Sequence, residues 1–416
     1  MSLRPFPRRP SSGLVLPALG STLLVQVVSS LGAGATPLLG PFLTQRWGVP
    51  TESVGYLTAM QSAGICWYLA GGSPMLAHFG AIRSLQIGLA CVALGLLLLS
   101  QPLLPLAMAG ALLIGLGLAP NTPAGSQVLM RAAPPAHRGL VFSIKQAGVP
   151  LGGALAGVVV APLLFWLGFP GAIWLLAGLM VAVALVVQVF RRTLDADGGP
   201  RQPDWPRMFV SPSSFTRAVR ILKDGPGLVM LTAIGVSFST LQACVTGLTA
   251  TYMVTRHGHS LAAAGLLMAT LLASSTLARV GFGWLADRVG AARGPLLLAL
   301  LALGSSASIL LMVLAAGAGS WMVYGCMILV GATAMGWNGI HLAELARMAP
   351  VGRVSEVTSA ASLFGFVGAV CGPLIFAFSV SRTGSFDGAY LGAAAQLALF
   401  GLFALWRATV AARPKG

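Results

Sequence analysis

The chain has 416 residues, of which 56% are hydrophobic and only 8% charged, with a mean hydropathy of +0.86. Soluble domains carry about a quarter charged residues, so this composition excludes an ordinary soluble fold. The net charge of +16 would suggest nucleic acid as a partner of a soluble protein, but here the basic residues lie between apolar runs, where membrane topology accounts for them.

A spanning helix requires about 20 apolar residues, and water-free lipid forces each span to satisfy its own backbone, which favours helices. About twelve spans can be drawn: 14–44, 52–74, 82–101, 104–131, 137–167, 170–191, 227–255, 261–285, 294–316, 320–347, 354–380 and 386–410. The expected fold class is an all-α membrane protein. The N-terminal MSLRPFPRRPSSGLVLPALG mimics a signal peptide, but its apolar run outlasts the roughly 7–15 residues of a cleaved one, so a retained first helix is expected. The five cysteines all fall within apolar runs, without a CxxC motif, and read as small packing residues.

One connection is long and polar. Residues 191–227 hold seven Lys/Arg and four Asp, and divide the chain into an N-terminal six-helix bundle (1–192), a cytoplasmic linker (193–225) and a C-terminal six-helix bundle (226–416). The linker closes on SSFTRAVRILK. There Phe215, Val219 and Leu222 share one helical face, with Arg217, Arg220 and Lys223 elsewhere, as in a short helix lying on an anionic membrane surface. With both termini cytoplasmic, 21 of the 25 Lys/Arg fall on the inner side, Arg46, Arg256 and Arg382 fall outside, and Lys145 is left over. That bias supports a multi-pass protein of a bacterial-type inner membrane in this orientation.

The halves repeat. A shift of 215 maps Gly110, Pro135, Arg138, Gly153 and Gly157 onto Gly325, Pro350, Arg353, Gly368 and Gly372, and a shift of 216 maps Gln26 onto Gln242. Many secondary transporters are built from such repeats, with the site between them. After the eighth span, GWLADRVGAAR (283–293) resembles the loop signature of the major facilitator superfamily, with Gly283, Leu285, Ala286, Asp287, Arg288, Gly290 and Arg293 matching. The counterpart PMLAHFGAIR (74–83) is degraded, with His78 near the place of the aspartate. The resemblance implies two pseudo-symmetric six-helix bundles rocking about a central cavity lined by the first, fourth, seventh and tenth helices. It implies a monomer as well.

Charge within the hydrocarbon is costly and marks functional candidates. Lys145 lies seven residues past Arg138, about 10 Å into the core, and Arg279 eight residues before Asp287, about 12 Å deep. Their mates in the repeat are Ala360 and Ala70, so the shared fold does not require either cation. Gly148 and Gly152 share the stripe of Lys145, and Ser275, Thr276 and Gly283 that of Arg279. Small and polar stripes face helix partners or cavities. One reading makes the two cations an anion-attracting pair. The other makes Lys145 snorkel or bind a helix-end carbonyl, and Arg279 brace the loop signature. Arg279 also resembles, by its place, the eighth-helix arginine of monocarboxylate and oxalate/formate porters, which in that family contacts the substrate carboxylate.

Uncharged candidates for the cavity are Gln26, Asn121, Gln146, Gln242, Tyr252 and Asn338, with Ser30 and Gln61 beside them. Asn121-Thr122-Pro123 and Gly336-Trp337-Asn338-Gly339 are expected to break their helices beside a cavity. His341, Glu344 and Arg347 share one side of the tenth span. They read either as a proton-coupling pair or as a gate latch in which Glu344 meets Arg288, Arg347 or Arg353, with Asp287 in the same gating set. No metal cluster, phosphate loop or nucleophile–base pair is present in the sequence, so neither an enzyme nor a cofactor is expected.

The expected function is a secondary active transporter of a small organic anion, a carboxylate by preference, coupled to protons or a counter-anion. A multidrug or neutral-metabolite exporter and a non-transporting membrane sensor are the alternatives. The first 190 residues hold a single acidic residue, Glu52, which argues against proton-driven export of cations. The 191–227 loop is too short for a sensor's output domain.

Overall fold

A computed structural model describes residues 14–71, 73–132, 138–195, 212–225, 227–289, 294–315, 319–350 and 353–411. The helices are α1 (Val15–Trp47), α2 (Val54–Gly71), α3 (Ser73–Phe79), α4 (Ala81–Leu99), α5 (Leu104–Leu118), α6 (Asn121–Ala132), α7 (Arg138–Gln188) and α8 (Arg191–Leu194). After the linker come α9 (Pro212–Lys223), α10 (Leu228–Thr255), α11 (Leu261–Val289), α12 (Gly294–Ala315), α13 (Ser320–Gly336), α14 (Asn338–Met348), α15 (Val354–Thr383) and α16 (Phe386–Ala411).

Among the described residues, ten helices are long and apolar enough to cross a membrane. The count reaches twelve spans for two local reasons. Residues 144–188 form one unbroken stretch that folds back at Gly168, whose φ of 65° suits a residue without Cβ, so α7 holds the fifth and sixth spans. The second span, α2, is eighteen residues long, and its Gly, Ser, Thr and Gln residues dilute its hydropathy. The fourth and tenth spans are each interrupted, at Ala119–Pro120 and at Trp337. Proline lacks the N–H that would continue the helical ladder across the first of these breaks.

The buried apolar side chains form two clusters. One is built from α1, α2 and α4 to α8, the other from α9 to α16, and each borrows a few residues across the divide. The halves meet along α7 with α11, α2 with α15, and α1 with α10. At the first seam the Gly157 carbonyl packs directly against Gly265, and Leu272 fills the space over Gly153. Gly55 lies against Pro373 and Ala377, Gly247 against Thr58, and Gly40 against Val54 and Thr251. These contacts gather toward the end of the molecule that carries the odd-numbered connections. Small residues allow this because close backbone approach, rather than apolar area, drives helix association in lipid.

The linker helix α9 turns Phe215, Ala218 and Leu222 toward α15 and leaves Arg217, Arg220 and Lys223 exposed. Val219, placed by periodicity on the inward face, is 39% exposed, and Ala218 takes its position. Helix docking against Phe364 sets the rotation, which an apolar count alone leaves undetermined.

Candidate functional site

In the N-terminal half, the break after α5 presents Asn121 to its neighbours. The Asn121 amide donates to the Ser29 hydroxyl at 2.8 Å, and its backbone carbonyl accepts from Lys145 Nζ at 2.9 Å. Lys145 Nζ also donates to Gln146 Oε1 at 3.3 Å. The Lys145 side chain is 2% exposed. Gly125 makes its room, since a Cβ there would stand 2.8 Å from Lys145 Cε. An ammonium has three N–H donors, and the two used here meet neutral acceptors. Among the described residues no carboxylate pairs with it. The stripe of Gly148 and Gly152 packs on Gln26, Val27 and Ser30 of α1, so it serves as a helix interface. Gln26 donates to Ser30 at 3.4 Å, while its Oε1 is buried without a partner. Gln61 reaches across to Thr36 at 2.7 Å.

The C-terminal half repeats the arrangement without the lysine. The break at Trp337 places Asn338 where the other half has Asn121, and Asn338 donates to Gln242 Oε1 at 3.4 Å. Trp337 Nε1 donates to the same oxygen at 3.0 Å and stacks on Phe238 with ring centroids 5.0 Å apart. Arg279, half-buried, donates from Nε to the Met335 carbonyl at 3.1 Å. That carbonyl lies in the last turn of α13, where helical partners run out.

The two cations stand at matched height. Where α7 and α11 cross, residue numbers rise along one helix as they fall along the other, with Gly157 on Gly265 and Gly153 under Leu272. Lys145 lies eight residues from Gly153, and Arg279 seven residues from Leu272, toward the same end; at ~1.5 Å per residue their depths agree within about 2 Å. Their side chains diverge, Lys145 toward α1 and α6, Arg279 toward α13.

Tyr252 does not join this group. It lies ten residues beyond Gln242, about 15 Å along α10, fully buried, and donates to Asp387 Oδ1 at 2.7 Å. His257 and Tyr390 pack on its ring with centroids 4.6 and 5.1 Å away. The apolar windows that flagged Tyr252 carried no information about the carboxylate at the start of α16.

Among the described residues, Arg347 meets Glu344, with Nε at 3.0 Å and Nη2 at 2.6 Å from Oε2. The buried Glu344 carboxyl also abuts Gly294, the first residue of α12, a position a helix N-terminus favours for negative charge. Arg353 binds Asp224 and Glu356 instead, each at 2.8 Å, and these acids hold its guanidinium above its ordinary range. His341 contacts the Leu231 carbonyl at 2.9 Å and packs on the edge of Trp337. Asp287 and Arg288 fall in the last turn of α11, and their side chains lie outside the described residues. In the N-terminal half the matching α4 terminus is capped by Asp195, which accepts from the Ile82 N–H at 3.0 Å. Sequence reasoning passed over Asp195 and Asp387, helix-end acids whose partners are remote in sequence, and read Trp337 as part of a helix break without its bond to Gln242.

Interrupted helices in two repeated halves, with polar groups gathered at the interruptions, define a membrane transport protein. The chain belongs to the Major Facilitator Superfamily, whose family model matches residues 22–343. It is 26% identical over 337 residues to an uncharacterized MFS-type transporter of Mycobacterium tuberculosis, covering 79% of this chain and 71% of that one. It is also 29% identical over 171 residues to the 4-hydroxybenzoate transporter PcaK of Pseudomonas aeruginosa; that match spans 40% of this chain and 38% of PcaK, well under half of either. Among solved structures it resembles a peptide transporter POT in complex with sulfate (TM-score 0.76, 14% identity, 94% of each chain). It also resembles a bacterial homolog to the human lysosomal transporter Spinster in an inward-facing, unoccupied conformation (TM-score 0.71, 14% identity, 96% of each chain). At these identities the likeness shows the fold. The family implies membrane embedding and a small-molecule substrate.

Proposed function

We propose that this transporter carries a small organic anion, a carboxylate in particular, across the inner membrane by alternating access, coupled to protons or to a counter-anion. The observation that carries the reading is Lys145. A buried ammonium held only by neutral acceptors is unfavourable unless an anion completes it. Arg279, level with it on the opposite half, supplies a second cation whose planar fork suits a carboxylate. Asn121 and Gln146 bond Lys145 directly, and Gln26, Gln242 and Asn338 would orient the rest of the substrate. The partial likeness to a hydroxybenzoate transporter points the same way.

With both termini cytoplasmic, the packed end is the outer one, and the conformation is inward-facing. Glu344, paired with Arg347 within α14 and packed on Gly294 of α12, braces the inner end of its own half in this reading, and a coupling role for Glu344 and His341 is its rival. A thermal-shift screen of the purified protein against carboxylates, sugars and cationic drugs tests the substrate class, because a ligand of the folded state raises its melting temperature. Stabilisation by carboxylates alone, lost in the Lys145→Gln/Arg279→Gln double variant, is expected. Stabilisation by cationic drugs or sugars, with carboxylates silent, would replace the proposal with an exporter of another substrate class.

A further inference from the structure

Below the seam of α2 and α15 the two helices enclose an apolar groove of about 450 Å³. Its lining is Ala63, Cys66, Trp67 and Ala70 from α2, Val367 and Val370 from α15, and Phe215 from α9. The α2 residues recur at three- and four-residue spacing, so they form one stripe along that helix. Trp67 is 44% exposed, although its indole is the largest apolar surface there. The volume lies in the range of specific small-molecule pockets. No side chain of the lining is charged, and its polar groups are the Trp67 indole N–H and the Cys66 thiol, so a polar solute finds little to hold.

Polarity begins at one end of the groove. Phe215 closes it, docked on Phe364 with ring centroids 6.5 Å apart, and the outer face of the same short helix carries Arg217, Arg220 and Lys223. All three are exposed, and among the described residues none is paired with a carboxylate. Asp224, the nearest acid in sequence, is engaged by Arg353 at 2.8 Å. An apolar slot closed by a helix that carries three exposed cations, none paired with a carboxylate among the described residues, matches a molecule with a hydrocarbon tail and a negative head. Basic groups between or beside spanning helices recognise anionic lipid headgroups by this chemistry, and an acyl chain fills an apolar slot through packing contacts.

We propose that this groove binds an anionic phospholipid, with one acyl chain between α2 and α15 and the phosphate against Arg217, Arg220 and Lys223. The site is separate from the Lys145 and Arg279 pair. It occupies a seam between the two halves, so a lipid held there would bias how closely the cytoplasmic ends approach.

Native mass spectrometry of the full-length protein in mild detergent tests the proposal, with phosphatidylglycerol and phosphatidylcholine of identical acyl chains as probes. Phosphatidylglycerol is expected to be retained about tenfold more than phosphatidylcholine, and Arg217→Gln/Arg220→Gln/Lys223→Gln should abolish the difference. Filling the groove with Ala63→Phe and Val367→Phe should reduce retention of both lipids, with thermal unfolding confirming an intact fold. Lys145→Gln should leave retention unchanged, and soluble glycerol phosphate should not displace the lipid. Equal retention of the two lipids overturns the proposal. So does a preference that survives the triple variant, retention undiminished in a folded groove-filled variant, loss of retention in Lys145→Gln, or displacement by glycerol phosphate alone.

Discussion

Replacing Lys145 by Met keeps the length of the side chain and removes its charge, and the structure predicts opposite effects on substrate binding and on folding. Burial of the ammonium, 2% exposed, costs several kcal/mol in lost hydration. Its bonds to the Asn121 carbonyl and Gln146 Oε1 return about 1.5–3 kcal/mol each. The charge therefore contributes almost nothing net to the empty fold, and Met, which leaves two acceptors short of a donor but buries no charge, should shift stability by less than about 2 kcal/mol. Substrate binding loses one charge-assisted contact, again about 1.5–3 kcal/mol, which is about a 10–150-fold weaker Kd for a carboxylate. Calorimetric binding and uptake into proteoliposomes read the first quantity, and thermal unfolding reads the second. A variant that folds normally and transports carboxylates as the parent does would refute the reasoning. A collapse in stability of more than about 3 kcal/mol would show that Lys145 is a structural brace.

Four further outcomes are expected. Tyr252→Phe removes the 2.7 Å bond to Asp387 and should cost about 1–3 kcal/mol of stability in the C-terminal half, read by thermal unfolding; an unchanged melting temperature would remove the pair from the packed end. Gly157→Val places a branched side chain where the Gly157 and Gly265 backbones touch, so it should keep the halves from closing at that end, seen as loss of cross-linking between cysteines placed at 40 and 251. Glu344→Gln weakens the pair with Arg347 and, as an inner-end brace, should alter uptake rate without moving its pH profile; a displaced profile would transfer Glu344 to proton coupling. Burial holds the protonation of His257, in the loop after α10, below its ordinary 6.5, and its Nε2 is buried without a partner. The unfolded chain then binds the extra proton more readily, so this contribution to stability is whole above pH 6.5 and is lost as pH falls through it. His257→Gln should flatten that acid limb in pH-dependent unfolding.

Hydropathy alone located the spans because lipid is an uncompromising solvent: a run of apolar residues of membrane length has few other fates. Even the end of α11 and the start of α15 fall within a few residues of the apolar boundaries. The interruptions at 119–120 and 337 were legible too, through Pro, Gly and Asn. Contacts made by single side chains were not. Gly125 reads as one glycine among 53, yet it is the one that admits Lys145. Asp195 and Asp387 carry no marker in their local windows, because the Ile82 amide and the Tyr252 hydroxyl they accept from are more than 100 residues away. Val219 failed as a buried position for a related reason. A twelve-residue helix shows its apolar stripe only to within about one residue's rotation, and its docking on Phe364 chose Ala218.

The sequence by itself determined the solvent of this protein, its helices, its repeated halves and the two cations that their repeat mates, Ala360 and Ala70, lack. Those properties follow from composition and from spacing along one chain, since burying a peptide group or a charge in hydrocarbon has the same cost wherever it occurs. Tertiary structure alone decided that the Asn121 carbonyl accepts from Lys145, that Arg353 meets Asp224, and which end of the molecule is packed shut. Each of these depends on how helices distant in sequence cross and rotate. Packing energies of small residues settle that, and hydropathy does not register them.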